Sequence, residues 1–197
     1  MREMNMVLFT GLLTSKRGGA DNADIKRPVL SFEIYYKNEV GEAMFEEIPV
    51  LLPGGALART LPGLKDGGIY LVSGQLRNDK ETGLYVEANK LTRVGEAAKK
   101  PAPSALKRAE LLRNEFCPNC VTIAGVVKEN SEPVYKIETR REKLTKGDLK
   151  PGDVFTVDAS FAQLSQSPLV GEYVIVCGQL TERALLAESV VRIREEN

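Results

Sequence analysis

Few residues in this sequence could do chemistry. None of its 197 residues is a histidine, which removes the usual general base and with it Ser-His and Cys-His catalysis. The cysteines are Cys117, Cys120 and Cys177. Cys117-Pro118-Asn119-Cys120 spaces two thiols like half of a zinc knuckle, but a structural zinc site takes four ligands. Cys177 falls inside an expected strand, so such a site would have to be shared between two chains. Reduced structural thiols are the simpler expectation, and no metal or cofactor is expected. Gly54-Gly55 and Gly67-Gly68 read as turns beside strands, not as a phosphate-cradling loop that opens a long helix. With no nucleophile–base pair and no paired-carboxylate motif, an enzyme is not expected. What remains is flat rings, which can stack on planar groups, and cations, which can hold anions.

Composition narrows the setting. Charge is balanced at 27 basic against 27 acidic residues, so no global field draws the chain to a polyanion or a membrane. Cut at Ala97, the chain has 12 basic and 13 acidic residues before the cut and 15 and 14 after it. A basic groove would therefore have to be local. No apolar run approaches the roughly 18 residues of a membrane span, and Met1-Arg2-Glu3-Met4-Asn5 lacks a signal-peptide core of the usual length. The odd, low cysteine count fits a reducing compartment, and a soluble cytoplasmic protein is expected.

The elements that would position these residues are mostly strands. Asn5 to Thr14 is short, apolar and β-rich, and is followed by a polar loop from Ser15 to Arg27. Val29 to Lys37 alternates Leu30, Phe32 and Ile34 on one face with Ser31, Glu33 and Tyr35 on the other. After the hairpin connection Asn38–Glu42, a third strand runs from Ala43 to Leu52 with Ile48 and Val50 toward the core. Ala56 to Leu64 is a short helix limited by Pro62. Strands then run from Ile69 to Arg77 and from Leu84 to Val94. Three strands, a short helix and two strands in about 90 residues is the order of an OB-fold barrel.

The second half repeats the first. Val121-Thr122-Ile123-Ala124-Gly125-Val126-Val127 echoes Val7-Leu8-Phe9-Thr10-Gly11-Leu12-Leu13. Tyr173 to Leu180 echoes Ile69 to Leu76, with Gly-Gln-Leu in both. Gly11 and Gly74 are 63 positions apart, and Gly125 and Gly178 are 53 apart. The second unit is thus trimmed between its landmarks, partly where the helix should be, because Gln163 to Gly171 is too short and polar for much of one. An internal duplication follows. The expected architecture is all-β, two tandem OB-fold five-stranded barrels. The first spans 1–96 and the second, shortened one 117–197. A linker, Glu96 to Ser104, and a helix from Ala105 to about Phe116 capped by Ser104 join them.

Residues 5–94 resemble the bacterial single-stranded-DNA-binding protein family. The resemblance rests on Asn5-Met6-Val7-Leu8-Phe9-Thr10-Gly11, Ser31-Phe32-Glu33-Ile34, Phe45 to Leu51, Lys65-Asp66-Gly67 and the intact Gly74-Gln75-Leu76-Arg77. It implies a non-enzymatic module that coats or protects single-stranded DNA in replication or recombination, largely without sequence preference. Two barrels per chain resembles the variant in which a homodimer supplies four barrels. The departures are Asn78-Asp79-Lys80-Glu81 where the family often has a bulky aromatic, Glu47 where it tends to be basic, and Pro49 where it has a β-branched residue. A second barrel also stands in place of the family's acidic-tipped tail.

Binding single strands takes cations for phosphates and rings for bases. Tyr35 and Phe45 lie on outward phases flanking the hairpin, where they either stack on bases or pack between chains. Tyr36 is on the core phase near a strand end, and Tyr85 opens the fifth strand; both remain candidates, with packing the first expectation, as for Tyr70. The candidate phosphate contacts are Lys16, Arg17, Lys26 and Arg27 in the first loop, Lys37 at the hairpin, and Arg77 and Lys80 around the fourth strand. The second barrel offers Tyr135, Phe155, Phe161 and Tyr173, with Tyr173 expected in the core by its alignment with Ile69. Lys136, Arg140, Arg141, Lys143 and Lys146 add a basic stretch mixed with Glu138 and Glu142, so this half either binds nucleic acid weakly or serves mainly in assembly, with assembly the first expectation. The competing reading is a scaffold that kept the barrels and lost the groove, favoured by the neutral charge and Glu47.

Overall fold

The computed structural model describes residues 4–17, 28–38, 42–53, 58–80, 82–96, 118–139, 152–162, 164 and 166–193. The expected linker and helix, and Cys117, lie outside them. The chain divides into two compact units. The N-terminal unit comprises Val7–Leu76 and Tyr85–Asn119; the C-terminal unit comprises Cys120–Asn197 together with Met1–Met6 and Arg77–Leu84.

The N-terminal barrel is built from β1 (Asn5–Arg17), β2 (Val29–Lys37), β3 (Ala43–Leu51), β4 (Gly68–Asp79) and β5 (Gly83–Glu96). β1 pairs antiparallel with β2 and with β4, β2 pairs with β3, and β5 lies between β3 and β4. The β3–β5 contact is parallel, through Val50 opposite Val86. The circuit β1-β2-β3-β5-β4-β1 is the OB-type closed barrel. The second barrel uses β6 (Asn119–Ser131), β7 (Val134–Glu138), β8 (Val154–Asp158), β9 (Tyr173–Leu180) and β10 (Leu185–Ile193). It repeats the circuit as β6-β7-β8-β10-β9-β6, again with one parallel pair, Leu185 opposite Val157.

The repeat extends to irregularities. The β1–β2 register slips between Leu13 and Ser15, and the β6–β7 register slips between Val127 and Glu129, each starting two residues after the landmark glycine. The second pair of glycines also serves one purpose in both barrels. A Cβ on Gly74 would run into the Glu87 carbonyl oxygen, and one on Gly178 into the Leu186 carbonyl oxygen. Both positions need glycine because a neighbouring strand's backbone passes too close for any side chain.

Alternation puts the expected residues inside. Leu30, Phe32, Ile34, Ile48 and Val50 are all at most 1% exposed. Phe32 takes two edge-to-face contacts, with Phe9 at 6.1 Å and Tyr70 at 6.0 Å between ring centroids, an arrangement that adds to plain area burial. Tyr70 also closes the turn before β4, its hydroxyl accepting from the Lys65 backbone N–H at 2.8 Å. In the second barrel Tyr135 and Phe155 fill the core.

Three expectations are corrected. β1 does not stop at Thr14: Ser15, Lys16 and Arg17 pair with Ser31, Leu30 and Val29, because ladder hydrogen bonds carry a polar segment that has a partner strand. The helix is a single 3-10 turn, Ala58–Gly63, with Pro62 inside it. Tyr173 is half-buried, not core. Ile69 and Tyr70 are both buried at the start of β4, whereas β9 alternates strictly and gives Val174 the inward phase.

Candidate functional site

The outer face of β2 and β3 follows from their register. Tyr35 lies directly opposite Phe45, Glu33 opposite Glu47, and Ser31 opposite Pro49. The same alternation that buries Phe32 and Ile34 turns these six residues away from the core. The Tyr35 and Phe45 rings meet across the ladder, centroids 5.8 Å apart and planes tilted by 55°. Both residues are half-buried, and the Tyr35 hydroxyl oxygen is buried without a hydrogen-bond partner among the described residues. The Tyr35 backbone is held from the side by Asn119, whose Nδ2 donates to its carbonyl at 3.1 Å. Two rings in mutual contact on a pleated sheet form a preset apolar step, and stacking on it costs little side-chain entropy.

Tyr36, on the opposite phase, is 8% exposed. Its hydroxyl donates to Glu46 Oε1 at 2.6 Å, which ties the ring to the barrel and leaves no face for stacking. Tyr85 is half-buried near the start of β5.

Two of the described candidate cations, Lys16 and Arg77, are held in ion pairs. Lys16 and Arg17 end β1 and are not in a loop. Lys16 Nζ donates to the Leu64 carbonyl at 2.8 Å and lies 3.4 Å from Asp66 Oδ1. Its charge therefore serves the turn before β4. Arg17 is exposed, and so is Lys80 at the β4–β5 turn. Lys37 ends β2, its side chain outside the described residues, as are Lys26 and Arg27.

Arg77 is committed elsewhere. Its side chain is 12% exposed and its Nη1 lies 3.5 Å from Oδ2 of Asp153, which is 2% exposed. The Asn78 Nδ2 donates to the Val154 carbonyl at 2.7 Å, alongside a longer contact from its N–H to Asp153 Oδ1 at 3.4 Å. Arg77 thus neutralises a buried carboxylate within the C-terminal unit, which is the position of a structural group, not of an exposed phosphate contact.

Two residues matter that the sequence reading does not select. Glu33 stands across from Glu47, so two carboxylates share the face beside the rings. Alternation already turned Glu33 outward, but only the register shows what it faces. Asp153 is the other. Nothing local marks it, because its partner is 76 positions away in the chain.

Among the described residues no group of three or more metal-ligating side chains gathers, and no helix is long and apolar enough to cross a membrane. Cys120 is exposed, and Cys177 lies on β9 with the Thr122 hydroxyl 3.6 Å from its sulfur.

No protein-family model matches this chain, and no curated protein matches it either. Solved structures do. The wild-type single-stranded DNA binding protein of Thermus aquaticus aligns over 100% of this chain and 96% of its own, with a TM-score of 0.63 and 16% identity. A deletion mutant of the same protein aligns over 100% and 97%, with the same TM-score and identity. At this identity the likeness establishes the fold over the whole chain.

Proposed function

We propose that this chain binds single-stranded DNA, stacking bases on the Tyr35–Phe45 step of its N-terminal barrel and contacting phosphates through exposed cations such as Arg17 and Lys80. The observation that carries the reading is the ring pair itself, in contact and half-exposed on the outer face of β2 and β3. Support comes from an end-to-end likeness to a protein whose name states single-stranded DNA binding. Stacking accepts any base, so binding is largely independent of sequence. Coating and protecting single strands in replication or recombination is the setting this chemistry suits. A homodimer would bring four barrels together.

A second reading has its own support. Glu33 and Glu47 put two carboxylates beside the rings, and Lys16 and Arg77 are held in ion pairs. A barrel so arranged suits a protein-interaction module that has lost most DNA binding, with Tyr35 and Phe45 covered by a partner.

A mobility-shift titration with single- and double-stranded oligonucleotides separates the two. Single-strand binding that weakens as salt rises and is lost in the Tyr35→Ala, Phe45→Ala double variant upholds the first. No binding at low salt rejects it and leaves the interaction module. Sedimentation of the free protein tests the homodimer.

A further inference from the structure

The register of the two barrels allows a residue-by-residue comparison of their outer faces. Phe32 faces Leu13 and Ile48, and Ile137 faces Val127 and Phe155. Leu13 and Val127 each stand two residues after a landmark glycine, immediately before the same register slip. Phe32 therefore corresponds to Ile137, and Ile48 to Phe155. Counting three residues on from the first and three back from the second, Tyr35 corresponds to Arg140 and Phe45 to Gly152.

Gly152 does more than lack a ring. A Cβ at that position would run into the carbonyl oxygen of Thr139. No side chain fits at Gly152 without moving backbone. Two described lysines of this barrel are held in ion pairs. Glu138 lies opposite Val154 and Lys136 opposite Thr156. Lys128 Nζ is 2.7 Å from Glu138, and Lys136 Nζ is 2.7 Å from Glu129.

We infer that the chain carries one base-stacking platform and not two. The β2–β3 face of the N-terminal barrel engages the bases, whereas the corresponding sequence positions of the second barrel, Arg140 and Gly152, supply no ring pair. This rests on the proposed function and adds its stoichiometry: each chain anchors a strand at one barrel, so the occupied length per chain is that of a single OB fold, roughly 4–16 nucleotides.

The test is photo-cross-linking of the full chain to oligo-dT, with the adducts mapped by peptide mass spectrometry, alongside an equilibrium titration. Adducts confined to residues 28–53, Tyr35 and Phe45 foremost, are expected. The Tyr35→Ala, Phe45→Ala variant should lose them, with affinity falling roughly five- to 150-fold for each ring and the urea midpoint confirming a folded protein. Adducts within 119–193, including the half-buried Phe161 or Tyr173, would overturn the single-platform assignment while leaving DNA binding intact. Absence of oligo-dT binding in the titration would overturn the proposed function and this inference with it.

Discussion

Glu33 and Glu47 face each other across β2 and β3, one step along the same face from the Tyr35–Phe45 ring pair. Like charges directly opposite in an antiparallel pair repel, and they repel phosphates too. The variant Glu47→Lys replaces that repulsion with a cross-strand ion pair and sets a cation beside the rings. Affinity for oligo-dT should rise, and the salt dependence of log K should steepen by about 0.7, the amount expected for one added phosphate contact on a single strand. Stability should rise by about 0.2–1 kcal/mol. Unchanged affinity in a folded Glu47→Lys protein would mean that nucleic acid does not cross this face.

The rings can be apportioned by a double-mutant cycle. Tyr35→Ala and Phe45→Ala should each weaken oligo-dT binding by about 1–3 kcal/mol. Because the rings touch, the two losses should not simply add. Quenching of tyrosine fluorescence by oligo-dT reports binding directly, and Tyr35→Phe should retain affinity, since stacking needs the ring and not the hydroxyl.

Arg77 should behave as a structural residue. Its removal takes a counter-charge from the Asp153 carboxylate, which is 2% exposed, and breaking one side of a buried pair costs about 3 kcal/mol or more. Arg77→Ala is expected to lower the urea midpoint substantially. An Arg77→Met, Asp153→Leu double variant should recover much of the loss, because it leaves no buried charge. Affinity for oligo-dT should be close to wild type in whatever protein folds. A stable Arg77→Ala protein with weakened binding would return Arg77 to the list of phosphate contacts.

The landmark glycines give a test of the duplication that does not depend on ligand. Gly74→Ala and Gly178→Ala each force a methyl group against a backbone carbonyl oxygen. Each should cost about 1–3 kcal/mol through displaced strands, read as a drop in thermal midpoint. If either substitution is neutral, the close approach at that position is not a constraint of the barrel.

Sequence alone determined what depends on neighbours along the chain. Alternation marked Leu30, Phe32 and Ile34 as core and Tyr35 as outward, because side-chain direction in a strand has a period of two residues wherever the strand pairs. The recurring Gly-Gln-Leu and the apolar runs before Gly11 and Gly125 exposed the duplication, because each glycine answers the same steric demand in both barrels. Tertiary structure alone decided which residues stand opposite one another. The Glu33–Glu47 pair, the length of β1, the commitment of Lys16 to Leu64 and Asp66, and the burial of Arg77 against Asp153 all arise on closing a barrel or docking a hairpin. Ion pairs and ladder contacts join segments tens of residues apart, and their energy depends on distance in space, which local sequence does not encode. The same reason hid the contrast between the barrels: Gly152 matches Phe45 only when positions are counted back from the Ile48 and Phe155 pairings.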